Sequence, residues 1–403
     1  MMLLSFGLIL SVGFVVGWIL NKIRVPGLVG MIVVGLVFGP YCLNIIDSSI
    51  LNISSELRQI ALVIILTRSG LNLDLKKLLS VGTPALLMSF VPATFEIVGT
   101  MLGAHYLLQL SWAESLLLGA VLGAVSPAVV SPRMIKLIEE NRGAEHAVPS
   151  IVLAGASVDD IYTITLFYAF LGIVQNHKAD VLSIGLVPVS ILLGIALGII
   201  VGFCLLLLFR KTHLSLAAKV LILLSVSLLM VGLETLVKPW ISISSLLGVM
   251  VVGMILAFKQ NDTAKELSNG YKSLWTFFEV VLFVLVGAAV DFRLITSVGW
   301  QAVVVLLIGL SFRTVGVVVC MLFAKATWLE RFFAVFAYLP KATVQASIGG
   351  IALSLGLGCG NVILLVSVLA IVVTAPIGAF LIDFFGKRWL AQMPNVINKH
   401  KME

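Results

Sequence analysis

The stretch GASVDDIYTITLF, Gly155 to Phe167, sets two adjacent carboxylates, Asp159 and Asp160, inside a run otherwise apolar enough for lipid. A charge at the centre of a membrane helix costs roughly 2.5–3.5 kcal/mol even on the insertion scale. Charge at that depth is therefore a functional hypothesis, provided partners can be named. Three more residues qualify: Glu96, Arg313 and Lys341. Neighbouring helical residues point about 100° apart, so Asp159 and Asp160 cannot both face one partner. The expectation is that Asp159 pairs with Lys341 while Asp160 faces an aqueous cavity, too deep for so short a side chain to snorkel. A carboxyl group placed there holds a proton or a metal cation, not both. That competition is the minimum machinery for exchanging one for the other.

The elements that must position these groups follow from composition. Of 403 residues, 60% are hydrophobic and 11% charged, with a mean hydropathy of +1.16. A soluble domain needs about 25% charged residues, so the chain reads as an all-α, polytopic membrane protein. Runs long enough for a hydrocarbon core about 30 Å thick recur along its whole length. About thirteen spans are expected, at 2–20, 25–44, 57–72, 83–109, 112–138, 148–174, 183–209, 215–235, 239–258, 274–290, 299–324, 329–355 and 359–385.

The net charge of +7 is a topology signal, not the mark of a nucleic-acid partner. With odd-numbered spans running inward, 20 of the 26 Lys and Arg fall on the cytoplasmic side. Arg58, Lys178, Lys238 and Arg293 fall outside, and Arg313 and Lys341 lie within spans. The positive-inside rule then puts the N-terminus out and the C-terminus in. Lys22 and Arg24 follow the first span and no charge precedes it, so that span is expected to be retained in the mature protein. Four scattered cysteines imply neither disulfide nor metal. The histidines, His105, His146, His177, His213 and His400, read as ordinary interfacial residues.

Two distant segments match at an offset of 217. RSGLNLD ends at Asp74 and LVGAAVD at Asp291, Gly70 matches Gly287, and FEIVG (Phe95–Gly99) matches FRTVG (Phe312–Gly316). SPAVVSP (Ser126–Pro132) and LPKATVQ (Leu339–Gln345) then match with four residues fewer between. The offset covers seven spans, an odd number, so the two copies lie inverted in the bilayer, as in many secondary transporters. The copies are expected at 1–174 and at 215–385. Residues 183–209 link them, and 386–403 form a short cytoplasmic tail. Glu96 and Arg313 occupy equivalent positions and are expected to meet, either as an ion pair fixing helix packing or with a direct part in transport. Proline removes a helical hydrogen bond. Pro127 and Pro132 in span 5 and Pro340 in span 12 therefore predict two helix breaks facing each other near mid-membrane, the alternative for each being a kink repaired by its neighbours. Ser126, Ser131 and Thr343 lie at those breaks. Unwound carbonyls and helix ends suit a hard, oxygen-seeking cation.

SPAVVSPRM, GASVDDI, RSGLNLD and PKATVQASIGG together resemble the cation:proton antiporter superfamily, most closely its NHA-type, sodium/hydrogen exchanger-like branch. The likeness runs over essentially the whole chain. It implies a homodimer whose core bundles, 83–174 and 299–385, move like an elevator against a dimerisation bundle. It also implies that Asp159 and Asp160 bind Na⁺, with Asp160 as principal carrier, and that Lys341 pairs with Asp159. Glu96 and Arg313 match the family's charged pair. The chain departs at Ser131, where members often have an aliphatic residue, and at Ser69 and Asn72. The Ser131 hydroxyl could serve as an ion ligand or bond back to its own helix.

The leading expectation is a Na⁺ or Li⁺/H⁺ antiporter of a bacterial cytoplasmic membrane, serving pH homeostasis, with no cofactor beyond the transported ions. The alternatives are a K⁺/H⁺ antiporter and a sodium-coupled symporter for an organic anion. An open channel would need no proton-exchanging acid pair. No nucleophile–base or metal-ligand spacing indicates an enzyme.

Overall fold

The computed structural model describes residues 1–23, 25–72, 82–175, 181–212, 214–237, 240 and 243–393. Arg24, Asp74, Lys178, Lys238, His177, His213 and His400 lie outside the described residues. Among those described, the backbone is helical apart from turns, loops and one isolated bridge between Arg142 and Gln392. Helix is what lipid demands, because every backbone polar group must be satisfied within its own segment.

The first half contains α1 (Met2–Lys22), α2 (Gly27–Phe38), the short α3 (Ser48–Asn52) and α4 (Ser54–Asn72). It continues with α5 (Thr83–Met88), α6 (Val91–Leu107), α7 (Trp112–Gly123), α8 (Pro127–Glu139) and α9 (Val148–Gln175). α10 (Val181–Lys211) connects to α11 (Leu216–Val237), α12 (Ser245–Lys259) and α13 (Asn261–Ala289). After a 3-10 turn come α14 (Ile295–Met321), α15 (Trp328–Ala337), α16 (Thr343–Ile348), α17 (Ile351–Ser354) and α18 (Gly360–Trp389). Nine stretches among the described residues are long and apolar enough to cross a membrane, and α2 and α12 are shorter apolar helices. In the most apolar window of Trp112–Glu139, 72% of residues are buried, against 22% in Met2–Lys22. The α7–α8 unit therefore lies in the interior and α1 at the periphery.

Close approach of helices explains the duplicated landmarks. A Cβ on Gly70 would run into the Met250 carbonyl of α12, and one on Gly253 into the Thr67 carbonyl of α4. Likewise a Cβ on Gly287 would strike the Ile32 carbonyl of α2, and one on Gly35 the Val284 carbonyl of α13. The same backbone-to-backbone crossing thus occurs twice, α4 on α12 and α13 on α2, as small residues permit between membrane helices. The FEIVG and FRTVG motifs pack reciprocally where α6 meets α14. A Cβ on Gly99 would meet the Phe312 ring, and one on Gly316 would lie 3.2 Å from Phe95 Cβ. Each aromatic lies over the other copy's glycine, which carries the charged residue between them toward its counterpart.

α7 and α15 also begin alike. Ser111 with Glu114, and Thr327 with Glu330, form capping boxes in which hydroxyl and carboxylate satisfy each other's backbone N–H. The S/T-W-x-E pattern lies 216 residues apart and was a further landmark available in the sequence.

Gly287→Val, which overpacks the α2–α13 crossing, is expected to cost about 1–3 kcal/mol. A thermal melt of the purified protein in detergent checks this. Gly7→Val, where nothing lies within 4 Å of a built Cβ, should melt like the wild type.

Candidate ion-binding site

The first break spans 124–126. α7 ends at Gly123, Ala124 and Ser126 are extended, and Pro127 opens α8, where its missing N–H costs nothing. The second break, 338–342, separates α15 from α16. The Ser126 N–H donates to the Pro340 carbonyl at 2.8 Å, so the two unwound segments touch. α18 supports the second break. Its Thr374 hydroxyl accepts from the Lys341 N–H at 2.9 Å, and Gly378 leaves room for the Pro340 ring.

Gln345 joins the breaks with its side-chain amide. Its Oε1 accepts from the Ala342 N–H at 2.9 Å, and its Nε2 donates to the carbonyls of Val121 and Ala124 at 3.0 and 2.9 Å. Neither Gln345 nor Thr374 was singled out from the sequence. An amide inside an apolar helix was the signal available for the first.

Five ionisable side chains lie at the crossing, all buried: Glu96, Asp159, Asp160, Arg313 and Lys341. Arg313 Nη1 donates to Glu96 Oε2 and to the Gly123 carbonyl, and Nη2 donates to Asp159 Oδ2 at 3.0 Å. The Val125 N–H donates to the same Asp159 oxygen at 2.8 Å. Lys341 Nζ donates to Glu96 Oε2 at 2.6 Å and to the Ala124 carbonyl at 3.2 Å. The anticipated Lys341–Asp159 pair is therefore corrected. Lys341 bonds Glu96 and acts on Asp159 only through space, while Arg313 and the Val125 N–H hold Asp159 Oδ2.

The charges match the helix ends. Cations meet the carbonyls at the end of α7, where the dipole is negative, and the Asp159 carboxylate meets the Val125 N–H, just before α8. Both aspartates lie on the unbroken α9. Asp159 Oδ1, Asp160 Oδ1, Ser126 Oγ and Glu96 Oε1 are buried oxygens without a hydrogen-bond partner. Ser126 occupies the N-cap of α8 yet its hydroxyl caps nothing.

Ser131 and Pro132 are not at the crossing. Both lie inside α8, more than a turn beyond its start, with Ser131 half-buried and Pro132 exposed. A proline that deep would ordinarily end a helix, but here α8 continues through it to Glu139. Thr343, the first residue of α16, is buried beside the second break. Other intramembrane charges escaped the sequence reading. Arg68 on α4 and Glu279 on α13 lie within electrostatic reach of each other. Beside them, the Ser268 hydroxyl donates to Asn72 Oδ1 at 2.7 Å, tying the same two helices. His146 Nδ1 lies 2.8 Å from Glu330 Oε2, and His105 stacks on Trp112.

Two crossing helix breaks around buried carboxylates, within this bundle, define a sodium/proton antiporter fold. A solved sodium proton antiporter from Methanocaldococcus jannaschii, MjNhaP1, superposes with a TM-score of 0.82. The match covers 95% of this chain and 97% of that one, at 17% sequence identity. Residues 9–388 match the family model described as "Sodium/hydrogen exchanger, transmembrane", and the chain belongs to that family. It is 35% identical over 358 residues to human sodium/hydrogen exchanger 9B2, a match covering 84% of this chain and 65% of the relative. The mouse 9B2 protein is 32% identical, over 91% of this chain and 68% of its own length. Human 9B1 is also 32% identical, over 84% and 67%. The chain thus spans about two-thirds of the length of these mammalian relatives.

Arg313→Met strips a partner from both Glu96 and Asp159 and is expected to cost about 3–5 kcal/mol. A fall in melting temperature of the purified variant, larger than that of Gln345→Leu, is the measurement that checks it.

Proposed function

We propose that this chain is a secondary antiporter exchanging Na⁺ or Li⁺ for H⁺, with Asp160 as carrier and Asp159 as the second acid of the site. The observation that carries the reading is the balance of charge at the crossing. Three carboxylates, Glu96, Asp159 and Asp160, face two cations, Arg313 and Lys341. Glu96 and Asp159 take up both, which leaves Asp160 to take a proton or a monovalent cation. The unpartnered oxygens of Asp159, Asp160 and Ser126 are hard donors of the kind such a cation prefers. No cation at the crossing is spare for an organic anion, which disfavours the symporter.

In this mechanism a cation arriving at Asp160 displaces its proton, and Asp159 and the Ser126 hydroxyl complete the oxygen shell. Arg313 and Val125 hold Asp159 in place throughout. Lys341 and Gln345 keep the broken helices joined, so the crossing moves as one unit. That unit, α5–α9 with α14–α18, shifts elevator-like against α1–α4 and α11–α13, opening Asp160 to one side at a time. The working form is a homodimer in a bacterial cytoplasmic membrane, N-terminus out and C-terminus in.

Transport in proteoliposomes under an imposed pH gradient, with Na⁺, Li⁺ and K⁺ in turn, tests the reading and decides between sodium and potassium exchange. Asp160→Asn is expected to abolish exchange, and a variant with normal rates would remove Asp160 from the carrier role. Ser126→Ala is expected to raise the KM for the cation several-fold with little change in kcat. In detergent, adding the cation should release protons. Cation binding without release across the working pH range would overturn the competition.

A further inference from the structure

A cavity of mixed polar and apolar lining lies away from the crossing. Its volume is about 330 Å³, and its walls come from α4, α10, α11 and α12 on one side and α9, α16 and α17 on the other. Tyr168 and Leu171 of α9 line it, two to three turns beyond Asp160, and Asp160 itself does not.

Two opposite charges face this space. Arg58 of α4 is 7% exposed. Its Nε donates to the Ser54 carbonyl at 3.1 Å, while its buried Nη1 has no partner. The guanidinium lies against Gly350, where any Cβ would collide with Nη1. Gly350 has an ordinary negative φ, so space rather than backbone freedom calls for glycine there. Across the cavity, Glu234 of α11 accepts from the N–H of Ser245 at 3.2 Å and from its hydroxyl. Glu56, the nearest acid on Arg58's own helix, is engaged by the Ser55 hydroxyl at 2.7 Å. Among the described residues no ion pair joins Arg58 to Glu234, although both line one cavity.

We propose that this cavity is a binding site for a zwitterion, with a carboxylate or phosphate on Arg58 and an ammonium group on Glu234. A buried guanidinium with a free N–H makes charge-assisted bonds to such an oxyanion, which discriminate strongly against neutral ligands. The fixed carboxylate disfavours a plain anion, and the fixed guanidinium disfavours a plain amine. Only a ligand carrying both charges satisfies both walls. Resting on the antiport reading, a bound zwitterion also clamps α16 and α17 against α4 and α11, holding the crossing on one side.

The test is calorimetry on the protein in phosphatidylglycerol nanodiscs, with β-alanine, 4-aminobutyrate and 6-aminohexanoate against hexanoate and hexylamine. One chain length is expected to bind at least about tenfold more tightly than either singly charged probe. Arg58→Gln and Glu234→Gln should each lose about tenfold or more. Gly350→Ala, which displaces the guanidinium, should weaken binding even if Arg58→Gln fails to fold. Hexanoate binding as tightly as the zwitterions, no probe binding at all, or equal binding to the wild type and Glu234→Gln would overturn the site. Phosphatidylethanolamine presents the same two charges. If mixing it into the nanodisc competes with the soluble probe, the ligand is a lipid headgroup, and if it does not, a free zwitterion. Asp160→Asn should bind the zwitterion normally, so failure of the exchange reading leaves this result distinct. Exchange in proteoliposomes should stop at saturating ligand, and unaltered exchange would overturn the clamp.

Discussion

The fork of Arg313 is the interaction on which the rest of the structure depends. One planar guanidinium, 1% exposed, reaches Glu96 of α6, the last carbonyl of α7 and Asp159 of α9. A lysine in its place would present its three donors from one nitrogen, whereas arginine spreads five across a fixed plane and here reaches the acceptors from two nitrogens. Such a buried network adds little net stability compared with a well-packed apolar core. Its value is geometric. It fixes one oxygen of the first aspartate to the first helix break, while among the described residues neither buried cation bonds its neighbour Asp160.

The helix breaks survive in lipid because their freed backbone groups are taken up by named partners. Bilayer interiors tolerate irregular backbone only where protein satisfies it. Here Arg313, Lys341 and Gln345 receive the carbonyls at the end of α7, Asp159 receives the Val125 N–H, and Pro340 receives the Ser126 N–H. Cations and helix C-terminus, carboxylate and helix N-terminus: the arrangement uses the dipoles it creates. Stability and chemistry therefore share the same atoms at the crossing.

Away from it, the duplicated glycines divide the work differently. Gly70 and Gly253, Gly35 and Gly287 bring backbones into contact on α4, α12, α2 and α13. Phe95 and Phe312 over Gly316 and Gly99 do the opposite, delivering Glu96 and Arg313 to one another. The motif read as a repeat landmark thus encodes a packing rule with a charge inserted in it. That is why it was visible at a fixed spacing. The capping boxes at Ser111 and Thr327 were visible by the same logic and went unread.

The sequence by itself determined the membrane class, a proline at each break, the identity of the five charges buried at the crossing and the family. Each of these is local, or recurs at one offset, and lipid punishes departures from it. The Glu96–Arg313 pair followed from the repeat, but tertiary structure alone decided the other partners of the two cations. Lys341 finds Glu96 across 245 residues and Arg313 finds Asp159 across 154. Ser131 and Pro132 fall away from the crossing for a related reason. Helical periodicity says which face a residue occupies, but not how far the next helix lies or at what angle. Hydrogen bonds are made or lost within a few tenths of an ångström, a distance that only the packed fold sets.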